Sequence, residues 1–497
     1  MSSSLAPSAT TDEKIFEDKD GVGITLSVIS EDLDAEVGYD LYKQTKEEGL
    51  KWTKEEERRV LRKIDLWILP LFCFTQGLAF LDKTALNLGN LFGMKADLHT
   101  SGSQFSWFAS AFYIGYLVFA EPSTWLLQRF HAGKVMGAFV FTWGIVVIPG
   151  LGLMTPFWWR LQEQPLRHLT WYCFNGVGSI VGDLLAYGLG RAHVTVPSWA
   201  LIFLTLGGFT VVWGSYLFLF LPDSPVTARF LDQRQKLIAI KRVAENRTGI
   251  KNQQFKRYQM VQALEGPSLS TWLLFLAAVS AQIPNGVLSN FSRPSLGFGL
   301  YETILLDIPS SMLQILSLVV SGWVAAHVPN ARCVMMFVGN VTCIIAGAVL
   351  TYGPNDQRWG RLVAFWFTSF ASVGFSLSLV MVSANVGGFT KRQVTAVITF
   401  IVSLARPTNI TGPHTLLDSE AEIGYPTATK AMMAGSAAKC GFHVILGLYM
   451  YFENLRRDRL AEREGYAVPE DVRVRLAEEE GMKDVTERDN KWFRYVL

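Results

Sequence analysis

LPDSPVTARFLDQRQKLIAIKRVAENRTGIKNQQFKRYQMVQALEGPSLS, residues 221–270, is the stretch on which the fold turns. It is the longest polar run between the first apolar segment and the last. On both sides lie apolar segments of roughly 18 to 25 residues, the length an α-helix needs to cross a bilayer core. The run carries Arg229, Arg234, Lys236, Lys241, Arg242, Arg247, Lys251, Lys256 and Arg257 against Asp223, Asp232, Glu245 and Glu265. A basic loop of this kind is held in the cytoplasm. Pro222, Pro225 and Pro267 stop helices at its ends. The chain therefore divides into an N-terminal bundle, 58–221, a cytoplasmic linker, 222–270, and a C-terminal bundle, 271–453.

Composition agrees with this division. The 497 residues are 50% apolar and 18% charged, where a soluble chain carries about 25% charged residues. Mean hydropathy is +0.23, and the charges are segregated into the tails and the linker. The class is a polytopic helical membrane protein. A net charge of +2 gives no reason to expect nucleic acid, because the basic groups sit where topology needs them. Cys73, Cys173, Cys333, Cys343 and Cys440 form no CxxC pair, and the histidines show no HExxH spacing. Neither a disulfide framework nor a metal site is expected. No phosphate-binding loop and no HxxxxD or DDxxD cluster is present. An ATP motor, a cofactor and an enzymatic role are therefore not expected.

Residues 1–57 read as a cytoplasmic tail, disordered over 1–45, where apolar periodicity is missing. They lack the parts of a signal peptide. Residues 454–497 read as a charged, partly helical cytoplasmic tail. Spans are expected at 64–81, 104–127, 135–154, 169–190 and 199–221, then at 271–290, 303–326, 333–352, 362–386, 394–412 and 431–452, with a polar outer loop over 82–103. Six spans after the linker return the basic flank at Arg456–Arg463 to the cytoplasm. Five spans before it do not do the same for the flank at Arg58–Lys63. The conflict lies between Lys134 and Arg167, both expected in the cytoplasm. Two crossings need about 40 residues, and 135–158 supplies about 24. Three explanations stand: a re-entrant hairpin turning at Pro149–Gly150, an inversion of the later helices, or a helix missing from this sequence.

A short basic turn follows the second span of each half, LLQRFHAGK at 126–134 and AAHVPNARC at 325–333. Repeated halves around a central loop are the plan of many secondary transporters. Other stretches sharpen this: RRVLRKIDLWILPLF (58–72), FLDKTALNLGN (80–90), QFSWFASAFYIGYLVFAEPS (104–123), EQPLRHLTWYCFNGVGSIVGDLLAYGLG (163–190), FLPDSPVTARFL (220–231) and SANVGGFTKRQVTAV (383–397). Over roughly 50–460 the chain resembles the fungal allantoate-permease-like branch of anion:cation symporters in the major facilitator superfamily. The resemblance implies an all-α, two-bundle transporter. It also implies that the family's fourth helix, which carries an Arg and a Glu, is missing between Trp143–Ile145 and Glu163–Arg167, leaving eleven spans.

Ionisable groups inside spans are functional candidates. Lys83 beside Asp82 is a candidate carboxylate holder, and the resemblance extends this pattern to Asn87. Asn175, Asn285, Asn385 and Asn409 lie among small residues, where they can either bond across helices or meet a substrate. Glu121 and Asp183 are candidate proton carriers. Asp307 and Arg406 are further intramembrane charges of the second half. The resemblance implies proton-coupled transport of a small organic anion, such as a carboxylate vitamin, allantoate or a small peptide. It further implies alternating access by a monomer in the plasma membrane, or else the vacuolar membrane, with both termini cytoplasmic. The competing expectation is a non-transporting or defective paralogue, or a coding sequence read one helix short.

Overall fold

A computed structural model describes residues 13–16, 24–27, 52–100, 122, 125–126, 129–130, 132–142, 154–192, 195–244, 246, 255–265, 269–290, 299–354, 357–402, 420 and 425–497. In the N-terminal half the helices are α1 (Lys54–Leu91), the short α2 (Met94–Asp97), α3 (Ala132–Thr142), α4 (Gln164–Tyr172), α5 (Phe174–Leu189) and α6 (Ser198–Phe220). The linker holds α7 (Gln233–Ala244) and α8 (Arg257–Leu264). In the C-terminal half come α9 (Leu269–Asn290), α10 (Leu300–Leu305), α11 (Ile308–His327), α12 (Arg332–Tyr352), α13 (Arg358–Phe367), α14 (Ala371–Asn385) and α15 (Phe389–Ala396). A 3-10 turn, Thr368–Phe370, separates α13 from α14, and a π-helical stretch, Val397–Val402, continues α15. The chain ends in α16 (Pro426–Arg463) and α17 (Glu470–Met482). Among the described residues six helices are long and apolar enough to cross a membrane, or seven if the bent pair α8–α9 counts as one span. Most of the expected span 104–127 lies outside the described residues.

One expectation is corrected. The outer loop begins at Phe92 rather than at residue 82, because α1 continues unbroken to Leu91. Beyond the polar Asp82–Lys83 pair, Ala85 and Leu88 recur at helical spacing and pack with Leu81, Ile202 and Leu206. At its start Thr53 and Glu56 close a capping box. In the N-terminal tail Glu13–Phe16 and Ile24–Ser27 pair antiparallel, Glu13 opposite Ser27.

The stretch of conflict can be followed from both ends. Gly133 N donates to Asp223 Oδ1 at 2.5 Å, which places the start of α3 at the linker end of α6. Residues 143–153 lie outside the described residues. At 154–158 the chain forms one helical turn, again at the linker face, where Asn246 Nδ2 donates to the carbonyls of Pro156 and Trp159. Trp159 Nε1 and Arg167 both bond Asp65 of α1, at 2.7 and 3.0 Å. The flanks of α1 and α4 thus share one face, so α4 and α5 are not inverted.

α4 and α5 follow one another directly, broken at Cys173. They run antiparallel to α11, with Gly176 against Ser311 and Ile315 and Leu169 against Gly322. Their other flank meets α1, where a Cβ on Gly178 would lie 2.5 Å from the Gly77 carbonyl. Only glycine permits that approach.

At the linker face of the second half the C-terminal segment forms a clasp. Glu487 accepts from the buried Lys391 and from Gly387 N. Asp484 accepts from Phe389 N and pairs with Lys256 at 2.6 Å.

Candidate functional site

Gln164, His168, Trp171 and Asn175 recur at steps of four, three and four residues, so they share one side of α4–α5. All four are buried. Val181 and Leu184, on another side, are 41% and 51% exposed and belong to the lipid-facing surface. The polar stripe therefore faces inward, between α1 on one flank and α11 on the other.

The stripe is tied to both halves. Gln76 Nε2 on α1 donates to Asn175 Oδ1 at 2.7 Å, near the middle of α4–α5. Gln164 Oε1 accepts from Ser383 Oγ of α14 at 3.1 Å, and this bond joins the two halves. The Tyr172 and Phe375 rings meet across the same seam, 5.9 Å apart. Nearer the linker, Arg332 Nη2 donates to the Leu161 carbonyl at 2.7 Å and the Phe157 ring stacks on Phe389. At the opposite end the Tyr301 hydroxyl donates to the Gly190 carbonyl at 3.1 Å.

Buried polar groups are nearly always hydrogen-bonded. Along this stripe several are not. Gln76 Oε1, both ring nitrogens of His168 and Trp171 Nε1 have no hydrogen-bond partner among the described residues. The His168 and Trp171 rings lie 4.3 Å apart. Together these atoms offer one amide acceptor, one indole donor, and an imidazole that donates at one nitrogen and accepts at the other.

The residues singled out in the sequence fall into separate groups. Asp82 is half-buried and accepts from Thr210 Oγ1 of α6 at 2.9 Å. Lys83 lies in α1, but its side chain is outside the described residues, and Asn87 follows half-buried on the same helix. Asn175 belongs to the stripe. Asp183 is buried farther along α5. Asn285 is half-buried on α9 and donates to Gln282 Oε1 at 3.2 Å. Asn385 lies apart from these, in the clasp. Its Oδ1 accepts from Val496 N at 2.7 Å and its Nδ2 donates to the Val496 carbonyl at 3.0 Å. Asp307 precedes α11, while Glu121, Arg406 and Asn409 lie outside the described residues.

Sequence reasoning passed over His168, Trp171 and Gln76. It also passed over a buried polar cluster between α12, α14 and α16. There Lys439 Nζ donates to the Ala371 carbonyl at 2.7 Å, beside the 3-10 break. His443 Nδ1 contacts Asn340 Nδ2 at 2.9 Å, and its Nε2 contacts Ser378 Oγ at 3.0 Å. The amide donates, so the imidazole is neutral with its proton on Nε2. Among the described residues Lys439 makes no ion pair and no group of three or more metal-ligating side chains occurs.

Comparison with known proteins places this architecture. The Major Facilitator Superfamily model matches residues 154–407. The chain belongs to the major facilitator superfamily. Within that superfamily it falls in the fungal allantoate-permease-like branch. It is 33% identical to an uncharacterized transporter of Schizosaccharomyces pombe, over 89% of this chain and 88% of that one. It is 30% identical to the allantoate permease of Saccharomyces cerevisiae, over 90% and 87%. Among solved structures the proton:xylose symporter XylE matches 80% of this chain and 96% of its own with a TM-score of 0.55. At 15% identity that likeness speaks to the fold alone. This superfamily member is a multi-pass membrane protein and a secondary transporter of small molecules, not an enzyme.

Proposed function

We propose that this chain carries a small organic anion with protons, by alternating access, as a monomer in the plasma membrane with the linker and both tails cytoplasmic. The supporting observation is the inward stripe on α4–α5, polar and buried between the two halves. Substrate sites of such transporters lie near the midplane between repeated halves, and one half rocks against the other around them. In this reading the Lys83 ammonium meets the substrate carboxylate while Asp82, held by Thr210, sets its charge balance. Asn87, Asn175, Asn285 and Asn409 supply amides. Asn385 we assign to the tail clasp, because Val496 engages both of its polar atoms. Asp183 and Glu121 are the proposed proton carriers. Allantoate is a substrate to try first, given the yeast relative's name.

The test is uptake of labelled allantoate and nicotinate into proteoliposomes, with and without an inward proton gradient. Accumulation that collapses with the gradient is expected, and Lys83→Met should weaken it about tenfold or more, the cost of losing a charged hydrogen bond. Uptake indifferent to the gradient would sink the symport part.

A second reading has its own observation: both described ends of 132–159 lie at the linker face. A half-bundle short of crossings could bind without moving its ligand. Binding without flux for any probe would favour that reading.

A further inference from the structure

We propose that the linker helix α8 lies in the headgroup layer of the cytoplasmic leaflet and docks there on anionic lipid, with Phe255, Tyr258, Val261 and Leu264 at the apolar boundary and Arg257 among the headgroups. The proposal goes beyond transport and takes from the reading above only that the linker faces the cytoplasm. Tyr258, Val261 and Leu264 recur every three residues, so they share one side of the helix. With Phe255 just before them, they are between 42% and 49% exposed. Gln259 and Ala263, one turn apart on the other side, are fully buried. That side is occupied by protein: Gln259 Oε1 accepts from Thr390 N at 3.0 Å, and its Nε2 donates to the Asp484 carbonyl at 2.8 Å. A helix that turns its amide inward and its apolar side outward is inverted for a linker surrounded by water. A contiguous exposed apolar surface marks a membrane or protein contact.

The helix that follows fixes the depth of α8. α9 begins at Leu269, and its Leu269 and Leu276 are exposed and belong to the lipid-facing surface. Its 22 residues measure about 33 Å. They take up the roughly 30 Å of hydrocarbon core and leave the first turn at the boundary. α8 is bent from α9 by 64°. Its 8 residues measure about 12 Å, so along the α9 axis it rises only about 5 Å. A headgroup layer is about 5–7 Å deep on each side. The whole of α8 therefore stays at the depth where interfacial helices bury their apolar side. Charge selects the lipid. Arg257 is exposed one turn before Val261, on the same side, and among the described residues it makes no ion pair. The neighbouring charges are matched. Lys256 pairs with Asp484, Arg488 pairs with Glu265, and Asp489 accepts from Gln262 and Thr486. The linker sequence leading into α8 adds Arg247 and Lys251. One basic side chain at the surface enriches anionic lipid about fivefold.

The experiment places a nitrobenzoxadiazole dye on Val261→Cys of the full chain in nanodiscs. The unsubstituted chain, with its five cysteines, gives the background, and Arg475→Cys, at an exposed position of α17, gives a water-facing reference. Phosphatidylcholine and phosphatidylserine, each spin-labelled high on the acyl chain and added at equal low mole fraction, are the lipid quenchers. Iodide is the aqueous one. The dye at position 261 is expected to be quenched by lipid and shielded from iodide, with the reverse at 475. Labelled phosphatidylserine should quench it about fivefold more strongly than labelled phosphatidylcholine, and Arg257→Gln should bring the two close to equal. Quenching by iodide and not by lipid would overturn the proposal, because the face would then lie in water. A dye shielded from both would overturn it in favour of a protein cover, such as a second copy of this chain. Equal quenching by the two lipids with Arg257 in place would overturn the choice of anionic headgroups. Flux is not part of the readout, so failure here leaves the carrier reading standing, and a chain that carries nothing can still dock.

Discussion

Asn175 and Asn385 are both buried asparagines beside glycines at helix level, and they do opposite things. Asn385 sits at the linker face, where the amide is saturated by the backbone of Val496, and the neighbouring charges Lys391 and Glu487 are matched to each other. Asn175 sits in the seam, where its partner Gln76 keeps an unpaired oxygen and the next turns add His168 and Trp171. One region closes its polar groups on the protein itself, and the other leaves them open. A saturated network rigidifies, while an unsaturated one costs stability unless something else fills it. The difference separates a clasp at the linker face of the second half from a surface that we propose meets a ligand.

Glu487→Ala tests the clasp and should have the largest effect. It strands Lys391, whose side chain is 1% exposed, and frees Gly387 N. Removing one partner of a buried pair costs about 3–5 kcal/mol. The unfolding temperature in detergent should fall steeply, and a double change with Lys391→Met should recover much of the loss. If Glu487→Ala unfolds like the parent, the tail is an ornament rather than a clasp.

Asn175→Leu tests the seam and should cost less. Gln76 would lose its one side-chain hydrogen bond among the described residues while staying buried. The expected loss is about 1–3 kcal/mol. Gln76→Met on the same background should then be close to neutral, because no buried amide remains to be stranded. Additive losses in that double-mutant cycle would mean the two amides are not coupled.

This contrast was only partly legible in the chain. The division into halves follows from runs of apolar residues and one basic linker, and those features are local. The length of α1 was not legible. Hydropathy drops at Asp82–Lys83, and only the packing of Ala85 and Leu88 with Ile202 and Leu206 keeps the helix going. His168 lies one residue before the span expected at 169–190, beside Arg167, itself expected in the cytoplasm. The spacing of 164, 168, 171 and 175 is visible there, but spacing alone does not say which side of a helix faces inward. Asn385 meets a residue 111 positions away, a pairing that one sequence cannot carry.

Lys439→Met sharpens the comparison from a third place and should have the smallest effect, with an unusual sign. Lys439 is buried, like the seam atoms, yet its ammonium is bonded, to the Ala371 carbonyl. Gly374 makes room for it, since a Cβ there would lie 3.0 Å from Nζ. Burying a charge without a counter-ion is costly, and replacing buried charge by an apolar side chain of similar volume is often neutral or stabilising. Lys439→Met is therefore expected to leave unfolding unchanged or to raise stability by about 1 kcal/mol. What it should lose is the tie between α16 and the 3-10 break at Thr368–Phe370. Faster amide exchange over 368–374 with unaltered global stability would identify Lys439 as a pin on that break. A large loss of stability would instead mean that the Ala371 carbonyl matches the ammonium as well as Glu487 matches Lys391.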